Sequence, residues 1–138
     1  MLSDYFPPHL GGGVEQVVSR LVEGLVKRGH TVAVQTLHTC PAPATEVNGA
    51  LTIQRAPAID LTAWLGLQQA VSLPLLISTY RLIRQFKPDV IHAHNLFFRT
   101  TEVAALLRMV YHVPLVTTMH LGKAEGNSSV FNMLVKIY

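Results

Sequence analysis

Apolar residues recur at helical spacing through Val14, Val17, Val18, Leu21, Val22, Leu25 and Val26, with Glu15, Gln16, Arg20, Glu23 and Lys27 on the opposite side. This pattern predicts an amphipathic helix, with Lys27 and Arg28 suiting its negative end and Gly29 stopping it in a left-handed conformation. Directly after it, Thr31-Val32-Ala33-Val34-Gln35-Thr36 is β-branched with consecutive apolar positions, as in a strand covered on both faces. A loop rich in Pro, Ala and Thr is expected from Cys40 to Asn48. The alternation from Leu51 to Arg55 then reads as a half-exposed edge strand closed by Pro57.

From Leu61 to Tyr80 no residue is charged. Two helical pieces are predicted here, the second capped by Ser72, with Pro74 in its first turn and Leu76, Ile77, Tyr80 and Ile83 facing inward. Lys87-Pro88 ends that helix. Asp89 to His94 reads as a strand, followed by a helix capped by Thr100 or Thr101 with Val103, Leu106, Leu107 and Val110 inward. Pro114 opens a strand from Leu115 to Met119, and Ser128 begins a last helix carrying Val130, Phe131, Leu134 and Val135. Strands alternating with helices imply an α/β fold, a parallel sheet with right-handed crossovers and helices on both faces. Leu2-Ser3 is the tail of the opening strand, so a few residues are expected ahead of Met1, and the chain is read as cut at both ends.

With 138 residues, 49% of them hydrophobic and 14% charged, the chain fits one domain, 1–138, with a buried core. Its net charge of +3 comes from scattered basic residues with no run longer than Lys27-Arg28, which excludes a nucleic-acid footprint. The lone Cys40 makes no internal disulfide, and the N-terminus lacks a signal-peptide pattern; both favour a cytoplasmic location. The uncharged stretch is long enough to span a bilayer, but Gln68, Gln69, Ser72 and Pro74 interrupt it. A peripheral contact through Trp64, Leu65 and Leu67 is the membrane reading that remains.

In a doubly wound sheet the ligand sits beyond the C-terminal ends of the strands, where the helices switch faces. Three loops meet there: Asp4 to Gly13, His94 to Arg99 and His120 to Asn127. Gly11-Gly12-Gly13 precedes the first helix, so bare backbone N–H groups and the helix dipole can face a phosphate or a sugar hydroxyl. The motif is neither G-x-G-x-x-G nor a P-loop, and Thr36-Leu37-His38 offers no carboxylate for a ribose, which argues against a nicotinamide dinucleotide. His92 and His94, two apart on a strand, share a face. His92 reads as a satisfied interior histidine, while His94 is equally a site or a scaffold residue. His120, at a strand end, can hydrogen-bond a sugar hydroxyl or move a proton.

Four blocks together carry a family resemblance: Ser3-Asp4-Tyr5-Phe6-Pro7-Pro8 with Gly11-Gly12-Gly13-Val14-Glu15, Leu25 to Val32, Lys87 to His94, and Pro114 to His120. In order and spacing they resemble the N-terminal domain of family 4 glycosyltransferases, over nearly the whole chain. The resemblance implies a Rossmann-like, acceptor-side half of a GT-B enzyme. Its C-terminal domain, absent here, would hold a nucleotide diphosphate sugar for transfer to a sugar or lipid-linked acceptor with retention of configuration. No metal or other cofactor is implied. By the same carry-over His120 is the catalytic-site residue against the transferred sugar, Gly11, Gly12 and Gly13 lie along the donor, and His94 and Asn95 line the acceptor side. Three glycines where two are commoner leave that loop's register open by one position. The isolated chain is expected to be inactive. The competing expectations are a non-catalytic sugar- or protein-binding half-domain, and a metal hydrolase using His92, His94 and His120.

Overall fold

The structure, a computed structural model, describes residues 1–9, 12–65, 70–96 and 98–120; Gly11 and the helix expected from Ser128 lie outside them. The first helix, α1, spans Gly13–Lys27. It ends in a Schellman turn: Gly29 adopts φ 86°, its N–H donates to Val26 O, and the His30 N–H donates to Leu25 O. Strand β1 (Val32–His38) follows, then β2 (Thr45–Asn48) and β3 (Leu51–Pro57). A small antiparallel pair, β4 (Ile59–Asp60) and β5 (Ala70–Val71), flanks the short helix α2 (Thr62–Leu65). The chain continues through α3 (Leu75–Phe86), β6 (Ile91–His94), α4 (Arg99–Tyr111) and β7 (Leu115–Thr118).

Two strand groups, β2-β3-β1 and β6-β7, are joined by the opening residues. Leu2 bridges Gln35 of β1 and Ala93 of β6 in parallel. Its N–H donates to His92 O and its carbonyl accepts from His94 N–H, while on the other side Gln35 N–H donates to Met1 O and Ser3 N–H to Gln35 O. Within these joined groups every pairing is parallel except β2-β3, which matches the predicted α/β sheet.

Side-chain parity sends the helices to opposite faces. Val18 and Val22 of α1 pack with Phe6 on Val32, Val34 and Ile53. Leu2, Ile91 and Ala93 point the other way, into a cluster with Ile83 of α3 and Ala104 and Leu107 of α4. On that second face the Gln54 amide donates to Ser78 Oγ at 2.9 Å, and Ser78 Oγ donates to Gln35 Oε1 at 3.1 Å, satisfying polar groups under α3.

Several expectations need correction. The region read as a loop contains β2, which is the outer strand, so β3 is one strand in from the edge. A buried arginine explains the misreading: Arg55 of β3 looks like a surface residue, yet it is buried, ion-paired to half-buried Glu46 of β2 and donating to Pro43 O and Pro7 O. The uncharged stretch carries the two expected helical pieces, α2 and the start of α3, but the chain turns back between them at Ala70–Val71 as β5. Ser72 does not cap α3; its hydroxyl donates to Pro57 O, and Pro74 occupies the cap. The inward face of α3 is Leu75, Thr79, Leu82 and Ile83, while Leu76, Ile77 and Tyr80 are exposed. On α4 the buried set is Thr100, Thr101, Ala104 and Leu107, with Leu106 and Val110 outside. On α4 the apolar and polar positions are weakly segregated, so periodicity does not select its face, and the small residues Thr100, Thr101 and Ala104 permit close approach to the sheet. Helix α3 keeps a polar face at Arg81, Arg84 and Gln85, and its buried stripe is rotated from the expected one. Glu15 and Val17 of α1 are likewise reversed, the acid buried and the valine exposed.

Because Leu2 fills the junction between both strand groups, Leu2→Ala is expected to lower unfolding free energy by about 2–4 kcal/mol. A urea titration checks this; a loss below about 0.5 kcal/mol contradicts the central role of that side chain.

Candidate functional site

The opening segment runs out of the sheet at Asp4, whose buried carboxylate accepts from Arg99 N–H (2.9 Å), Thr100 N–H (2.8 Å) and Thr100 Oγ (2.8 Å). It thereby caps α4 from a distance of 95 residues and more in sequence, a role the sequence did not announce. Burial pushes the Asp4 pKa up, against the pull of these hydrogen bonds. Tyr5 follows, packing edge-on against Phe98 at the mouth of α4, with Val14 of α1 against the same cluster. The glycine turn is thus tied through Val14 and Tyr5 to the loop that follows β6.

That loop is tied in turn to the end of β7. Asn95 stands at φ 64°, a left-handed conformation that asparagine tolerates. Its N–H donates to Thr118 O at 2.9 Å, and its Oδ1 accepts from the His120 N–H at 3.0 Å. The Thr101 hydroxyl donates to Asn95 O at 2.6 Å from the first turn of α4. Of the residues singled out in the sequence, His94, Asn95 and His120 are brought into direct contact. Gly12 and Gly13 sit at the same, C-terminal edge of the parallel strands.

Both described glycines are exposed. Gly12 has φ −163°, extended backbone open to any residue, and a Cβ added at Gly13 would meet nothing within 4 Å. Neither backbone conformation at Gly12 nor packing at Gly13 demands glycine.

Three imidazoles form a row beneath the rim. His92 stacks on His94 with ring centroids 4.4 Å apart, and His94 on His120 at 5.1 Å. The Nε2 of His92 hydrogen-bonds Thr118 Oγ1 at 2.7 Å, a partner that sequence spacing gave no means of finding. His94 is fully buried, and its Nδ1 hydrogen-bonds His120 Nε2 at 2.8 Å. The rings lie side by side and bond one another or Thr118 instead of converging on a point. Among the described residues no group of three His, Cys, Asp or Glu is disposed to hold a metal ion.

Burial, and then the neighbouring His92, His120 and N-terminal amine, lower the His94 pKa to about 3. His92 is lowered too, chiefly by burial. A base held neutral in the folded state but free to protonate once unfolded adds stability that is complete above the unfolded pKa of about 6.5 and is lost as pH falls toward the folded value. Unfolding free energy is therefore expected to fall by roughly 1 kcal/mol between pH 6.5 and 5.5 from His94, with His92 contributing in the same direction. Denaturant titrations of the wild type and His94→Phe check this; an equal pH slope in both contradicts it.

The family model for glycosyltransferase family 4 matches residues 11–136. The chain is also 29% identical, over 146 aligned positions, to glycogen synthase of Mycobacterium tuberculosis in two strains, CDC 1551 and H37Rv. Those alignments cover 93% of this chain and 34% of each relative, so the chain spans about a third of their length. With the parallel α/β half-fold and the glycine and histidine blocks in their order, the chain belongs to glycosyltransferase family 4.

Proposed function

We propose that this chain is the acceptor-side, N-terminal domain of a retaining glycosyltransferase, which moves a sugar from a nucleotide diphosphate sugar to a sugar or lipid-linked acceptor. The observation that carries the reading is the rim itself. A glycine turn with an exposed, unobstructed backbone and a histidine fixed by Asn95 and His94 share the strand ends where α/β folds bind ligands. Conformation at Gly12 and packing at Gly13 do not require glycine, and a bare backbone there leaves room for close approach of a ligand. The N-terminus of α1 adds partial positive charge suited to a diphosphate.

In this reading Gly12 and Gly13, with Gly11 outside the described residues, face the donor held by a second, C-terminal domain. His120 contacts the transferred sugar near the reacting carbon, and Asn95 and His94 shape the acceptor side. Transfer passes through an oxocarbenium-like centre while the diphosphate leaves, and closure of the two domains excludes water. In this reading the 138 residues on their own do not transfer sugar, because the donor is held by the second domain.

Peripheral attachment to the cytoplasmic face of a membrane belongs to the same proposal. Ile59, Trp64, Val71 and Leu73 are exposed around the β4-β5 pair, and Leu76, Ile77 and Tyr80 continue that apolar surface along α3. Exposed Arg81 and Arg84 follow on the same helix, which has no acidic residue. Apolar anchors beside basic side chains are the pattern of an interfacial contact. Among the described residues no helix is long and apolar enough to cross a membrane.

In the full-length enzyme, assayed against a panel of nucleotide sugars, His120→Ala is expected to lower kcat/KM by about 100-fold or more. Gly13→Ala should weaken donor use with unchanged folding, because its Cβ meets open space. Undiminished transfer by both variants, or transfer by the 138-residue chain alone, contradicts the assignment. Flotation with vesicles of phosphatidylcholine and phosphatidylserine should retain the wild type and lose a Trp64→Ser, Leu73→Ser double variant; equal behaviour of the two removes the membrane contact.

A further inference from the structure

We infer that His94 is a positioning residue that locks His120 in its Nδ1–H tautomer, so that His120 offers the ligand an N–H donor and turns its Nε2 lone pair into the protein. The inference rests on the proposed placement of His120 against the sugar. It starts from the 2.8 Å bond between His94 Nδ1 and His120 Nε2. Between two neutral rings one nitrogen donates and the other accepts, which leaves two arrangements.

If His94 donates from Nδ1, its other nitrogen, Nε2, is a bare lone pair. If His120 donates, His94 must carry its proton on Nε2. That Nε2 atom is buried with no hydrogen-bond partner among the described residues. A buried N–H without an acceptor is rarer and costlier than an under-used acceptor. The first arrangement is therefore favoured.

Ser3 strengthens the choice. Leu2 pairs in parallel with Ala93, so Ser3 and His94 point to the same face from neighbouring strands. Ser3 Oγ, like His94 Nε2, is buried with no hydrogen-bond partner among the described residues. The described residues therefore offer a proton on His94 Nε2 no acceptor, which favours His94 protonated at Nδ1.

The position of the row fixes the rings. His92 stacks on one side of His94, and His120 is held from its own backbone N–H by Asn95 Oδ1. A His120 that presents Nδ1–H acts as a hydrogen-bond donor to an oxygen of the sugar, not as a base that removes a proton. It therefore selects a sugar with a hydroxyl or other neutral oxygen at that position and disfavours one carrying an ammonium group, which has no lone pair to offer.

The test is long-range ¹H–¹⁵N NMR of the 138-residue chain carrying ring-¹⁵N histidine at pH 7.5. The expected spectrum shows His120 with a pyrrole-type Nδ1 and a pyridine-type Nε2, the minor tautomer of a free histidine side chain. In His94→Phe, His120 should revert to the Nε2–H majority of the free side chain. His94→Asn, whose amide NH₂ can occupy the place of Nδ1, should restore the Nδ1–H form. A wild-type His120 protonated at Nε2, or averaging between tautomers, overturns the inference without either variant. So does a His94→Phe spectrum identical to the wild type. Because the spectrum needs no nucleotide sugar, its failure is separate from failure of transfer in the full-length enzyme.

Discussion

The hydrogen bonds of Met1 to Asp4 hold together what would otherwise be two separate sheets. Leu2 donates to His92 and accepts from His94 on one side, while Met1, Ser3 and Asp4 exchange bonds with Gln35 and Leu37 on the other. Each such bond contributes about 1 kcal/mol net, and each costs more if it is left unmade in the interior. The same residues deliver Asp4 to the N-terminus of α4 and Tyr5 to Phe98, so the order of the sheet and the shape of its ligand-facing edge have one origin.

From that junction a continuous series of contacts reaches the candidate site. Asp4 fixes the start of α4, Thr101 of that helix holds Asn95, and Asn95 holds both β7 and the backbone of His120. His94 reaches the same imidazole from inside. Buried histidines are expensive to ionise, and burial keeps His92 and His94 neutral while the nitrogens of the row bond to one another and to Thr118. A neutral His94 orients the His120 ring by hydrogen bonding without adding charge behind it.

The order of strands and helices was legible because it rests on strong local signals. The α1 periodicity, the left-handed stop at Gly29 and the β-branched run of β1 all appear where the residues demand them. The convergence of His94, Asn95 and His120 was legible as well, since parallel topology alone sends strand ends to one edge. Helix faces were not. Leu76 and Leu75 are equivalent as hydrophobes, and only the sheet's own side chains decide which is covered. Strand β2 was hidden because Arg55 and Glu46 read as solvent-facing until each supplies the other's partner. Asp4 and Thr118 were invisible for the same reason: a partner far away in sequence has no local signature.

The central claim is that the glycine turn and His120 hold one sugar between them. Chemical-shift mapping of the full-length protein during titration with UDP-glucose, ADP-glucose and GDP-mannose tests it most directly. The account predicts that at least one of these shifts the amides of Gly12 and Gly13 and the ring of His120 together, with a single saturation curve. A nucleotide sugar that is transferred yet moves only one of the two, or moves them with different affinities, contradicts it.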